Sequence, residues 1–298
     1  MKIDGVFSGG GVKAFAYVGV LESMKEQNLQ LERVAGTSAG AIVASFIAAG
    51  FELDEIKELI SQLDLTQLVD PPVLTKLLPF TKWLFLYRVL GINKGDKLER
   101  WLELTLARKN IHTFHDIKPG YLKVVVSDLS LGKLIVIPDD LERVYGIQPE
   151  FFPVAKAIRM SAGFPFFFMP KKMPGKYKKK SLMVDGGLLS NFPLWIFDNN
   201  GSEIKKRPLL GIKITDASED GIGPRDIRNA LDMFHALFST MKQAHDARYI
   251  SKNEKQNILF VPIKNTGTVN FHISQTAKEN LIENGRKYAT DFFKNWSR

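Results

Sequence analysis

Two stretches decide the fold: Ile3-Asp4-Gly5-Val6-Phe7-Ser8-Gly9-Gly10-Gly11-Val12-Lys13-Ala14 and Val34-Ala35-Gly36-Thr37-Ser38-Ala39-Gly40-Ala41. In the first, a short apolar strand over residues 3–7 runs into a glycine turn. Val12, Phe15, Ala16 and Gly19 then fall at helical spacing. In the second, Val34 and Ala35 lead into another glycine turn. Residues 41–49 follow as an almost wholly apolar helix, with Gly50 as its stop. Two strand-turn-helix units in succession predict a parallel sheet covered on both faces, an α/β fold.

The rest of the chain fits around that start. Residues 52–67 and 95–109 have amphipathic helical spacing, and Val154–Ser161 reads as a helix ending near Gly163. Strands are expected at 121–126, Lys133–Ile137, 182–184, 209–214 and Ile258–Ile263, and long helices at 224–251 and 274–296. No repeat or linker divides the chain, so residues 1–298 read as a single domain. Residues 68–92 are apolar and broken by Pro71, Pro72 and Pro79. They read either as a buried helical insertion or as a lid or membrane-contacting insertion.

The first turn presents backbone N–H groups at the positive end of a helix, a natural site for an anion. A P-loop is excluded, because Val12 separates Gly11 from Lys13 and Ala14 replaces the required Ser or Thr. A dinucleotide fingerprint fits Gly9 to Ala14 formally, but Glu32 precedes the second strand where an acid should end it. The third functional reading is an oxyanion hole, and the plainer one is a tight turn with no ligand.

Gly36-Thr37-Ser38-Ala39-Gly40 has the G-x-S-x-G pattern of a sharp elbow that exposes a serine hydroxyl; the plainer role for Ser38 is a helix N-cap. A serine nucleophile needs a base. The five histidines (His112, His115, His235, His245 and His272) sit in no recognisable motif, and too few residues precede Gly36 for a triad hydrolase. The alternative base is a carboxylate. Asp185-Gly186-Gly187 follows a short apolar strand, and burial there would raise the aspartate pKa and strengthen it as a base.

Together these motifs resemble the patatin-like phospholipase family. Gly9-Gly10-Gly11-Val12-Lys13 is similar to its G-G-G-x-[KR] motif, Gly36 to Gly40 to its nucleophile elbow, and Asp185-Gly186-Gly187 to its D-G-[GA] motif. Residues 157–165, with Ser161, Ala162 and Pro165, resemble its A-S-x-A-x-P block, except that Gly163 replaces the common alanine. The resemblance covers about residues 3–195. It implies a three-layer α/β/α sandwich with a mostly parallel sheet, and acyl-ester hydrolysis of lipids without metal or cofactor. Ser38 would be the nucleophile and Asp185 its base. Gly9, Gly10 and Gly11 would form the oxyanion hole, with the Gly10 and Gly11 N–H groups holding the charge. Lys13 would support that turn or contact phosphate.

The formal net charge is +9, from 41 Lys and Arg against 32 Asp and Glu, which invites an anionic partner. Residues 171–180 contain six lysines and no acid, just after Phe164-Pro165-Phe166-Phe167-Phe168-Met169. Lys171, Lys172, Lys178, Lys179 and Lys180 therefore read as contacts to phosphate or an anionic membrane surface, with the aromatics as a wedge. The plainer reading is a solvated loop beside core phenylalanines. Nucleic acid is not expected, because the aromatics are clustered rather than interleaved with basic residues. The absence of cysteine excludes disulfides, thiolate metal sites and a cysteine nucleophile. With no signal-like apolar start and no apolar run long enough to span a bilayer, the expectation is a cytoplasmic protein peripheral to the membrane. A catalytically silent lipid-binding protein and a dinucleotide-binding enzyme stand as alternatives.

Overall fold

The computed structural model describes residues 1–72, 88–175, 180–197, 207–216, 227–250, 255–263 and 272–296. The strands are β1 (Lys2–Phe7), β2 (Gln30–Thr37), β3 (Gly91–Asn93), β4 (Leu122–Asp128), β5 (Lys133–Ile137), β6 (Phe166–Phe168), β7 (Lys171–Pro174), β8 (Lys180–Asp185), β9 (Leu209–Asp216) and β10 (Ile258–Ile263). The α-helices described are α1 (Ala16–Glu26), α2 (Ala39–Ala48), α3 (Leu53–Ser61), α4 (Asp96–Ala107), α5 (Val154–Ser161), α6 (Ala230–Tyr249) and α7 (Gln275–Asn295).

The main sheet has the order β10-β9-β1-β2-β4-β8-β7, with β5 also paired to β4. The first five strands of that order run parallel, and β5, β7 and β8 add antiparallel pairings. Successive residues of the central strands enter opposite cores, as the pleat requires. Phe7, Val34 and Val124 join the larger core, with α1, α2, α5 and α7. Val6, Ala35 and Val125 join the smaller one, closed by residues 192–197. Both faces of the sheet are thus covered, giving the expected three-layer α/β/α class.

The pairing of β4 positions the catalytic candidates. Val124 and Val125 pair with β2 on one edge and with β5 on the other. Val126 to Asp128 keep β5 but exchange β2 for β8. β8 therefore arrives end-on above the C-terminus of β2. Thr37 lies opposite Val125 and Asp185 opposite Val126, so consecutive positions of β4 set Ser38 and Asp185 together.

Three local readings differ from the sequence expectation. The helix expected over 52–67 stops at Ser61, because Asp64 accepts from the Thr66 N–H and hydroxyl and starts a separate 3-10 turn, Leu65–Leu68. Residues 171–174 are the edge strand β7 rather than a loop; lysine and proline at such an edge discourage further pairing. Residues 166–168 form β6, which pairs with β3. Most of the insertion expected at 68–92 lies outside the described residues. Its flanks are fastened by Asp70, whose carboxylate caps α4 by accepting from the Gly95, Asp96 and Lys97 N–H groups.

Candidate active site

β1 and β2 are parallel neighbours with Phe7 opposite Gly36, so both glycine turns emerge side by side at the C-terminal edge of the sheet. Steric limits explain the glycines. A Cβ on Gly40 would lie 2.4 Å from the Phe7 carbonyl oxygen, and one on Gly36 would lie 2.4 Å from the Gly40 carbonyl carbon. Only hydrogen at both positions lets the elbow close against the end of β1. Ser38, between them, is held at φ 54° and ψ −124° as the residue that caps α2. Such a backbone costs about 1–3 kcal/mol and persists only when its surroundings enforce it.

Those surroundings are specific. Ser161 Oγ accepts from the Ser38 N–H at 2.9 Å and donates to the Val125 carbonyl at 2.7 Å, tying the elbow to β4. Thr37 Oγ1 donates to the Ser190 carbonyl at 3.0 Å, fastening the segment after Asp185 to the same elbow. Ser8, at the start of the first turn, accepts at Oγ from the Ile214 N–H of β9, and the Tyr17 hydroxyl donates to its carbonyl.

The Ser38 hydroxyl donates to Asp185 Oδ2 at 2.7 Å. Asp185 Oδ1 accepts from the Gly187 N–H at 2.7 Å, which fixes the carboxylate plane. Asp185 is 3% exposed. Burial pushes its pKa up to about 6, against the opposing pull of the Ser38 and Gly187 hydrogen bonds and the Lys242 charge. The pair therefore combines a serine donor with a carboxylate more basic than an exposed aspartate.

The three turn glycines divide their roles. The Gly9 N–H donates to the Asn191 carbonyl at 3.0 Å, so within the turn it is the Gly10 and Gly11 N–H groups, those expected to hold the charge, that are left for an oxyanion. Gly10 caps the 3-10 turn Gly11–Phe15, and Gly11 is its first residue. The N–H groups at such a start have no acceptor within the turn. Gly9 approaches Ser38 closely: a Cβ there would lie 3.3 Å from Ser38 Cβ.

Ser38, Asp185 and the turn open onto one cavity. Its walls are otherwise apolar, including Phe15, Ile42, Leu68, Trp101, Phe167 and Phe238, while Asn191 and Lys242 join the polar end. The aromatic run expected to form a surface wedge is largely turned inward. Phe164, Phe167 and Phe168 line the cavity, and Phe164 packs on Phe234, His235 and Phe238 of α6. Beneath this wall the fully buried Arg159 donates to the carbonyls of Gly95, Lys94 and Met169, joining the start of α4 to the end of β6. Burial lowers its pKa to about 10, opposed by Glu99, Asp70 and Asp96.

The lysines separate. Lys13 is 4% exposed and absent from the cavity lining, so its burial removes it from any membrane contact. Lys171 is tied to Asp96 at 3.3 Å and to Glu99, which neutralises it. Lys172 and Lys180 are exposed on the β7–β8 hairpin, whereas Lys178 and Lys179 lie outside the described residues. Three site residues carry no local signal that assigns them a role in the sequence. Ser161 stands in the fourth quoted block without a stated function, and Asn191 and Lys242 belong to no motif. Among the described residues no cluster of His, Cys, Asp and Glu is arranged to hold a metal ion, and no helix is long and apolar enough to cross a membrane.

Comparison with known proteins agrees with this geometry. The chain is 44% identical over 297 residues to the uncharacterized protein YqhO of Bacillus subtilis strain 168, covering all of both chains. It is 26% identical over 195 residues to a cUMP-AMP-activated phospholipase of Escherichia coli, covering 62% of this chain and 54% of that protein. Among solved structures it resembles VipD from Legionella pneumophila, with a TM-score of 0.58 at 18% identity, covering 99% of this chain and 67% of that one. It also resembles the type III effector ExoU, with a TM-score of 0.52 at 17% identity, covering 98% and 53%. These two likenesses speak for the fold. The patatin-like phospholipase model matches residues 5–198, the span that carries both glycine turns, Ser161, Asp185 and Asn191. With that match over the segment that builds the site, the chain belongs to the patatin-like phospholipase family.

Proposed function

We propose that the protein hydrolyses acyl esters of membrane lipids through a Ser38–Asp185 dyad. The observation that carries this reading is the 2.7 Å hydrogen bond from the hydroxyl of a strained elbow serine to a buried carboxylate, at the polar end of an apolar cavity. Ser38 Oγ attacks the ester carbonyl as its proton passes to Asp185. The Gly10 and Gly11 N–H groups, with the N-terminal end of α2, stabilise the oxyanion. Collapse breaks the ester bond, and the departing alkoxide takes the proton from Asp185. Asp185 then deprotonates a water that attacks the acyl-serine; the second collapse frees the fatty acid and returns the proton to Ser38.

The apolar walls suit an acyl chain, and α6 supports a membrane setting. Among the residues whose side chains are described, its exposed ones are Met233, Leu237, Thr240, Met241 and Ala244, none of them charged, with Leu237 61% exposed. A stripe of exposed methionine and leucine of this kind suits a lipid surface. The same helix turns Phe238 and Lys242 to the cavity, so a lipid layer against its outer side would lie beside the site.

The test is product analysis by mass spectrometry on mixed phosphatidylcholine and phosphatidylglycerol vesicles. The native chain should release fatty acid and lysophospholipid, and Ser38→Ala should fall to background while keeping its circular dichroism. No release by the native chain, or release retained by folded Ser38→Ala, contradicts the proposal.

A further inference from the structure

We infer that Asn191 is a third oxyanion donor: its side-chain amide joins the Gly10 and Gly11 N–H groups on the oxygen that gains charge when Ser38 attacks an ester. This rests on the acyl-hydrolase reading above and adds a catalytic residue to it.

Asn191 sits where three parts of the site meet. Its carbonyl accepts from the Gly9 N–H at 3.0 Å, which ties it to the first glycine turn. The preceding carbonyl, that of Ser190, accepts from Thr37 Oγ1 at 3.0 Å beside the elbow. The Ser190 N–H donates to the Gly186 carbonyl at 2.9 Å, in the turn that follows Asp185. The backbone is thus held from three sides, and the residue is 3% exposed. Its side chain fills the gap between the first turn and the Asp185 turn. A Cβ on Gly9 would lie 2.4 Å from Asn191 Oδ1 and 3.3 Å from Ser38 Cβ. One on Gly187 would lie 3.2 Å from Asn191 Oδ1 and 3.0 Å from Asp185 Oδ1. Glycine at both positions clears the space that the amide shares with Ser38 and Asp185.

That amide has an unused donor. Among the described residues four buried side-chain atoms lack a hydrogen-bond partner, and Asn191 Nδ2 is the one whose residue lines the cavity. A donor buried without an acceptor is costly, and a catalytic role is one reason for a protein to retain it. No described residue holds Nδ2 in place, and χ2 of asparagine is a broad torsion, so rotation about it turns the donor to the cavity.

Reaction chemistry names the acceptor. A donor accelerates a step only where negative charge grows in the transition state. In acyl transfer that place is the former carbonyl oxygen. The serine hydroxyl, the departing oxygen and the water are served by Asp185, which takes and returns their protons. The backbone of Asn191 withdraws the Gly9 N–H from the turn, and its side chain supplies a donor in return.

The experiment is Asn191→Ala with a soluble p-nitrophenyl ester. Its kcat should fall roughly 100-fold while KM stays within about threefold, the pattern for a contact made only in the transition state. An alkyl boronic acid, which forms a tetrahedral anion on serine, should inhibit the variant roughly 100-fold less strongly than the native chain. The primary amide of the same alkyl chain stays planar and neutral, and it should inhibit both about equally. A side chain that merely supported the fold would weaken both inhibitors together. That result, or a kcat within about threefold of the native value, overturns the inference. A crystal structure of the native chain carrying an alkyl fluorophosphonate on Ser38 needs no variant. Nδ2 should lie within about 3.2 Å of the phosphonyl oxygen that meets the Gly10 and Gly11 N–H groups, and a separation beyond about 4 Å overturns the inference while leaving the dyad intact. Absence of both the adduct and any ester turnover in the native chain overturns the hydrolase reading and this one with it.

Discussion

Asp185 is where the site departs furthest from what stability alone would select. A carboxylate buried this deeply is costly to ionise, and desolvation lifts its pKa to about 6 against the pull of its hydrogen bonds and the Lys242 charge. The folded state therefore binds a proton more tightly than the unfolded chain, whose aspartates titrate near about 3.9. Between about pH 4 and 6 stability falls as pH rises, and above about pH 6 the full cost of the ionised group is present. Asp185→Asn should accordingly be inactive yet more stable than the native chain, by about 1–3 kcal/mol at pH 8, with the gain shrinking toward pH 4. Thermal unfolding followed across that range checks this, and a variant less stable at every pH contradicts it. In the native chain the same titration should give an acid limb near pH 6 in kcat/KM, with activity rising as Asp185 becomes available as a base.

At the scale of elements, the strand-turn-helix units around Gly9 to Gly11 and Gly36 to Gly40 were readable because their chemistry is local. Each glycine turn needs a small residue at a fixed offset from a short apolar strand, and the two strands are neighbours in the parallel sheet. What brings Asp185 to Ser38 is less local. It follows from β4 exchanging one partner for another halfway along its edge, which no periodicity in residues 122–128 records. Lys242 and Asn191 were not legible for the same reason: a helix and a turn distant in sequence bring them to the cavity. The aromatic run at 164–169 is plain in the sequence, but its direction is not. A hydrophobic cluster beside lysines reads equally as a surface wedge or a cavity wall, and here the inward packing on α6 decides for the wall. Under the proposed function, the face offered to lipid is instead the outer stripe of α6. Leu237→Asp should lower the ratio of vesicle to soluble-ester hydrolysis roughly 10-fold, the order expected for losing the burial of one leucine side chain. An unchanged ratio, with vesicle association also unchanged in co-sedimentation, would show that this face does not meet lipid.

Over the whole molecule, the sheet gathers two turns, one carboxylate and an apolar cavity at one edge, and the C-terminal part completes that edge. α7 packs across α1 so closely that a Cβ on Gly19 would lie 1.9 Å from the Ile282 carbonyl oxygen, and one on Gly285 would lie 2.0 Å from that of Ala16. Lys278 of α7 also donates to the carbonyls of Ser61 and Leu63, holding the end of α3 where Ile60 and Leu63 join the cavity wall. Of the basic residues behind the excess of nine positive charges, Lys13 is buried and Lys171 is paired with acids. The proposed activity rests on one covalent event at Ser38. Its most direct test is treatment with an alkyl fluorophosphonate followed by intact mass and peptide mapping. The expected result is a single adduct on Ser38, concurrent with loss of ester hydrolysis and strongly slowed in Asp185→Asn. Labelling at another serine, or inactivation of folded protein without an adduct on Ser38, would contradict it.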